Sequence, residues 1–188
     1  MKITTKHLVQ TALLLAICIA SQYFKNLSVY ITGPIVNATI IIAVLSVGLF
    51  SGLLLSIIAP ITAFFFTGSP IMAAIPLMFP AVMAGNAILA VSVWYFKKKT
   101  SLKFKLPVGM IVGSIFKAAF MGILIVLILL PTFGDQIAAK LPKPEALPAV
   151  LQTAKITFSV TQLTTALIGS LIAYLIWIPL SRYLKSEE

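Results

Sequence analysis

The 71 positions between Lys25 and Lys97 contain no charged residue. Soluble domains carry about 25% charged residues over their surfaces, so a stretch this long cannot wrap around a water-facing fold. A bilayer core of about 30 Å instead asks for predominantly apolar helices of about 20 residues. The rest of the chain agrees. Of its 188 residues, 60% are hydrophobic and 10% charged, and the mean hydropathy is +1.10. The apolar runs are continuous, without the alternation of a membrane barrel. The expected fold class is an all-α integral membrane protein.

The net charge of +10 does not point to nucleic acid, because the charges sit in short flanks between apolar runs. There they act as topology signals, with the richer side facing the cytoplasm. Lys97, Lys98, Lys99, Lys103 and Lys105 form the densest cluster. Placed inside with Lys2, Lys6, Arg182 and Lys185, they leave Lys25, Lys140 and Lys143 outside. A chain that leaves through a first span and is inside again at Lys97 crosses an odd number of times between. Residues 35–96 as one helix would be about 93 Å long, so three crossings are expected. The breaks fall at Gly48–Gly52 and Thr67–Pro70, with Tyr30–Pro34 as a further outer turn. A fifth span goes out, a proline-rich loop over residues 131–149 follows, and a sixth returns. The expectation is a single six-helix membrane domain over residues 1–188, with both termini cytoplasmic. Its spans fall at about 8–24, 35–50, 52–66, 71–96, 107–130 and 150–180. The first span also resembles a signal peptide, but Ile17 stands where a lipobox needs a small residue, and the segment is read as retained. Pro60, Pro76 and Pro80 are expected to kink spans.

Few polar residues remain in the membrane. Lys117 lies about 15 Å along the fifth span, too deep to snorkel easily. A buried charge demands a partner, yet Asp135, Glu145, Glu187 and Glu188 all lie outside the spans. Either a bound anion supplies the counter-charge or the amine is neutral or solvated in an inner cavity. Asn37, Asn86 and Gln162 are intramembrane amides that suit a heterocycle or ribose, or that tie helices together. Tyr30 and Phe158 belong to an outer aromatic group that serves as an interface belt or, in part, as a stacking platform. Ala12, Ala16 and Ala20 share one helix face, and Gly48/Gly52 and Gly109/Gly113 repeat the spacing. Such stripes let helices approach closely, inside one chain or between chains.

Several chemistries are missing from the sequence. There is no phosphate-binding P-loop and so no ATP hydrolysis on this chain. No acid lies in a span to relay protons or sodium. His7 is the single histidine, and there is no metal-ligand cluster. No nucleophile or acid–base constellation appears. The chain is expected to be neither an enzyme nor a cofactor or metal protein.

Six short spans, a basic N-terminus, the alanine stripe and the missing energy source together resemble the substrate-capturing S component of an energy-coupling factor (ECF) vitamin transporter. The resemblance covers essentially the whole length. Gly33-Pro34-Ile35-Val36-Asn37-Ala38, Ala59-Pro60, Gly85-Asn86 and Lys117-Ala118 look most like members proposed to take up the cobalamin precursor α-ribazole. The resemblance implies a multi-pass protein of the bacterial cytoplasmic membrane. It implies a vitamin-like substrate bound in the outward half, under loops after spans one, three and five. It also implies docking through Ala12, Ala16 and Ala20 on a membrane coupling subunit driven by two ATPases, and toppling to release substrate inside. The expected substrate contacts are Asn37, Asn86, Lys117, Gln162, Tyr30 and Phe158. The alternatives are a self-sufficient secondary transporter or facilitator, and a structural membrane protein with no ligand.

Overall fold

The computed structural model describes residues 4–24, 28–102 and 104–186. Lys2, Lys25, Lys103, Glu187 and Glu188, used above as topology markers or acids, lie outside the described residues. The described residues form helices and turns, with no strand among them.

In chain order the helices are α1 (Thr5–Tyr23), α2 (Val29–Ser46), α3 (Leu49–Thr67), α4 (Pro70–Ala74), α5 (Met78–Lys99) and α6 (Lys105–Met121). The last continues through a π-helical segment, Gly122–Leu129, into the single turn α7 (Leu130–Thr132). Then come α8 (Gly134–Lys140), a 3-10 turn at Pro144–Ala146, α9 (Leu147–Thr157) and α10 (Val160–Ser186). Five stretches are long and apolar enough to cross a membrane: Val29–Ser46, Leu49–Thr67, Met78–Lys99, Lys105–Thr132 and Pro144–Leu184. The first helix, α1, is of similar length but carries Lys6, His7 and Gln10 in its opening turns, and it is not among the five.

The central element is α2. It is apolar on every side, and a helix of that kind belongs in the interior. It packs against α1, α3, α5 and α10, and Ile40, Ile41, Val44 and Leu45 sit in the core with Leu55, Leu89, Val93 and Met110. Its C-terminal carbonyls would lack donors. Lys97 from α5 supplies one, its Nζ donating to the Leu45 carbonyl at 2.6 Å while lying 5.3 Å from the Trp177 ring centroid. This is the lysine-rich end of the bundle, with Lys97–Lys99 closing α5, Lys105 opening α6 and Arg182 near the end of α10.

The opposite end departs from the sequence expectation in four places. The turn expected at Tyr30–Pro34 is helix. Ser28 caps α2 by accepting from the Tyr30 N–H at 3.1 Å, and Pro34 lies inside the helix. The expected span 71–96 is broken at Pro76. A residue before proline is pushed out of the α region, and Ile75 is extended at φ −113°, ψ 103°. Pro80 then falls in the first turn of α5, where a missing N–H costs nothing, so it causes no kink. The loop expected over 131–149 contains α8, with Asp135 in its first turn and Lys140 in its last, as the helix dipole favours. Finally, the expected sixth span divides at Phe158–Ser159 into α9 and α10. The short helices are held by a second apolar cluster that joins Met72, Ile75, Met78, Met121, Ile125, Leu129, Leu130, Ile137 and Ala154.

The small-residue stripes have different fates. A Cβ on Gly109 would meet that of Phe96 at 2.6 Å, and one on Gly113 would meet that of Ser92 at 3.0 Å. That pair is consumed by the α5–α6 contact. Gly48 is the α2–α3 turn itself. Ala12, Ala16 and Ala20 are all exposed, while Thr11, Cys18, Ser21 and Gln22 on the other side of α1 are buried. Enlarging the two kinds of stripe should therefore act differently. Gly113→Leu is expected to destabilise the protein by about 1–3 kcal/mol through overpacking, and Ala16→Leu to leave it within about 0.5 kcal/mol, read by thermal unfolding in detergent.

Candidate functional site

A cavity of about 560 Å³ lies at the end of the bundle away from the lysine cluster, a size within the range of small-molecule sites. One face of α2 supplies Val29, Thr32, Gly33, Val36 and Asn37 to its wall. Their spacing i, i+3, i+4, i+7, i+8 is that of a single helical stripe. Ala59, Pro60, Ala63 and Thr67 come from α3, and Val82 and Asn86 from α5. The short helices α4 and α9 contribute Ile71, Met72, Thr153, Ala154 and Thr157, and Gln162 and Thr165 come from the start of α10.

Lys117, from the last turns of α6, lines the same cavity and is 2% exposed. Its Nζ donates to Asn37 Oδ1 at 2.6 Å and to Asn86 Oδ1 at 2.8 Å. The sequence argument looked for a bound anion, or for an amine that is neutral or solvated in an inner cavity. The structure provides two neutral amide oxygens from two other helices. An ammonium only donates, so both amides must turn their oxygens toward it. The Asn37 nitrogen then donates to the Gly33 carbonyl one turn back, at 2.9 Å.

Two close approaches set this geometry. A Cβ on Gly169 of α10 would meet Asn37 Cβ and the Pro34 carbonyl, each at 2.7 Å. A Cβ on Gly85, beside Asn86, would meet Met121 Cγ at 2.7 Å and Lys117 Cγ at 3.7 Å. Both glycines let neighbouring helices come near enough for the three side chains to join.

Of the substrate contacts expected from sequence, Asn37, Asn86, Lys117, Gln162 and Phe158 line this one cavity. Tyr30 does not. It sits one residue off the lining stripe of α2, is 54% exposed, and its hydroxyl lies 3.4 Å from Thr161 Oγ1. Sequence reasoning also missed lining residues. Thr32 shares the stripe that holds Asn37. Gln22 lies on the buried face of α1 that runs through Thr11 and Cys18, at spacings of seven and four. Thr153 and Thr157 belong to α9, the part of the sixth apolar run that was expected to continue straight.

An apolar helical bundle of several helices long enough to cross a membrane, with a cavity of small-molecule size at one end, defines a multi-pass membrane protein. Residues 6–181 match the family described as ECF transporter, substrate-specific component, and the chain belongs to that family. No curated protein and no solved structure matches it. Membership makes the chain a transporter subunit, associated with ECF coupling and ATPase subunits and with a small-molecule substrate.

The amine makes the cavity floor sensitive to its acceptors. Asn37→Ala leaves a buried charged donor short of a partner and is expected to lower stability by about 1–3 kcal/mol. Tyr30→Phe should change it by less than about 0.5 kcal/mol. Thermal unfolding of the two purified variants beside the wild type checks both.

Proposed function

We propose that this chain captures a vitamin or vitamin precursor from outside the cell and delivers it through an ATP-driven ECF complex. α-Ribazole is the candidate favoured by the local sequence matches. The observation that carries this reading is the cavity of about 560 Å³ that gathers Lys117, Asn37, Asn86 and Gln162 at the end away from Lys97–Lys99. If basic flanks face the cytoplasm, that end is the outer one. In this reading α1 is a sixth crossing, both termini are cytoplasmic, and the membrane is the bacterial cytoplasmic one.

The exposed stripe of Ala12, Ala16 and Ala20 supports a division of surfaces. It is exposed among the described residues, and small residues allow a second helix to approach closely. It is the docking face for the coupling subunit, with two ATPases supplying the energy that this chain lacks. The binding and docking surfaces lie on different parts of the molecule, so they should separate by mutation. Ala16→Leu is expected to lower the yield of coupling subunit and ATPases that co-purify with the tagged chain, while solute affinity stays within about twofold, since Ala16 does not line the cavity. Equal loss of both would contradict the division. Full-rate transport by the chain alone in ATP-free vesicles would favour the secondary-transporter alternative instead.

A further inference from the structure

We propose that the cavity recognises its solute through a hydrogen-bond acceptor (a ring nitrogen, a carbonyl or a carboxylate oxygen) seated against Lys117 and the amide nitrogen of Asn86, and that it rejects cations. This rests on the reading that the cavity is where the solute binds.

The argument follows the hydrogens. Protonated, Lys117 has three donors and no acceptor, and two of those donors go to Asn37 and Asn86. One remains. One of the two Asn37 amide hydrogens goes to the Gly33 carbonyl. The Asn86 nitrogen, turned away from Lys117, has no protein acceptor among the described residues. Asn86 is 4% exposed and lines the cavity. That nitrogen is open to the cavity, so a solute acceptor placed there can take its hydrogen. The floor therefore offers N–H groups whose natural complement is an acceptor. A site built this way discriminates strongly against analogues that lack the matching atom.

Charge points the same way. Lys117 is the one charged residue on the cavity wall, among the described residues, and no carboxylate joins it. Two amide oxygens satisfy the hydrogens of a protonated Lys117 without cancelling its charge, and in a weakly screening interior that charge repels a cation. Gln162 has no side-chain partner among the described residues; its amide both donates and accepts and so suits a hydroxyl. Val36, Pro60, Met72 and Phe158 make apolar wall that fits a ring. The class is an uncharged or anionic, ring-bearing solute with an exposed acceptor.

The test is Asn86→Asp in the full chain, purified into nanodiscs. The change is nearly isosteric and keeps an oxygen facing Lys117, but it replaces the free donor with an acceptor and cancels the local charge. The probes are α-ribazole (neutral, with a ring nitrogen), biotin (a carboxylate) and thiamine (a cation), titrated by calorimetry. Wild-type protein should bind α-ribazole or biotin and not thiamine, and Asn86→Asp should weaken that binding by about tenfold or more with the melting temperature kept or raised. Lys117→Met, run in parallel, should weaken biotin more than α-ribazole, and it decides the matter if Asn86→Asp does not fold. Ala154→Phe fills the cavity from α9, away from the polar floor, and should abolish binding. If Ala154→Phe abolishes binding while Asn86→Asp and Lys117→Met bind as wild type, the acceptor proposal falls and the cavity reading stands. If Ala154→Phe also binds as wild type, the cavity reading falls and the proposal with it. A wild type that prefers thiamine, or binds none of the three, overturns the proposal as well.

Discussion

An amine in the middle of a bilayer is tolerated only where its hydrogens are met, and around Lys117 three helices are arranged to meet them. Its oxygens come from α2 and α5, and the amine itself from α6. The type of acceptor matters. A carboxylate would have neutralised the charge and closed the site. Amide oxygens satisfy the hydrogens and leave the charge for something else to feel. The close approaches at Gly85 and Gly169 belong to the same requirement, since a hydrogen bond of under 3 Å between side chains on different helices fixes how near the backbones must come.

Around that junction the molecule divides into two kinds of packing. Toward the lysine-rich end, long helices share a continuous apolar core with α2 at its centre. Toward the other end, α4, α8 and α9 have 5, 7 and 11 residues, too short for helical stability of their own. They are held by side chains such as Ile75 and Ile137, both fully buried. The cavity lies where the two kinds of packing meet, its α2, α3 and α5 walls long and continuous and its α4 and α9 walls short and interrupted.

Outward surfaces show how little a spacing motif says without its environment. Gly109/Gly113 and Ala12/Ala16/Ala20 share the same four-residue interval. The glycines are filled by Phe96 and Ser92 of α5, and the alanines face away from the chain. Helical arithmetic hinted at the difference, because Thr11, Cys18 and Gln22 mark an inward face of α1 opposite the alanines. Which stripe a neighbour would occupy depends on how the helices are placed around one another.

The sequence by itself determined that the chain is helical and membrane-embedded, since 71 uncharged positions leave a bilayer as the fitting solvent. It also singled out Lys117, Asn37, Asn86, Gln162 and Phe158, because polar or aromatic groups in apolar runs stand out by their cost. At Pro76 the expectation was a kink in a continuous span 71–96, and the helix breaks there instead. Only the tertiary structure decided that these residues share a cavity, that two amide oxygens from other helices meet Lys117, and that Tyr30 turns aside. Those outcomes depend on helix rotation and on contacts between positions far apart in the chain, such as residues 37 and 117, or 37 and 169. Neither composition nor periodicity along one helix carries that information.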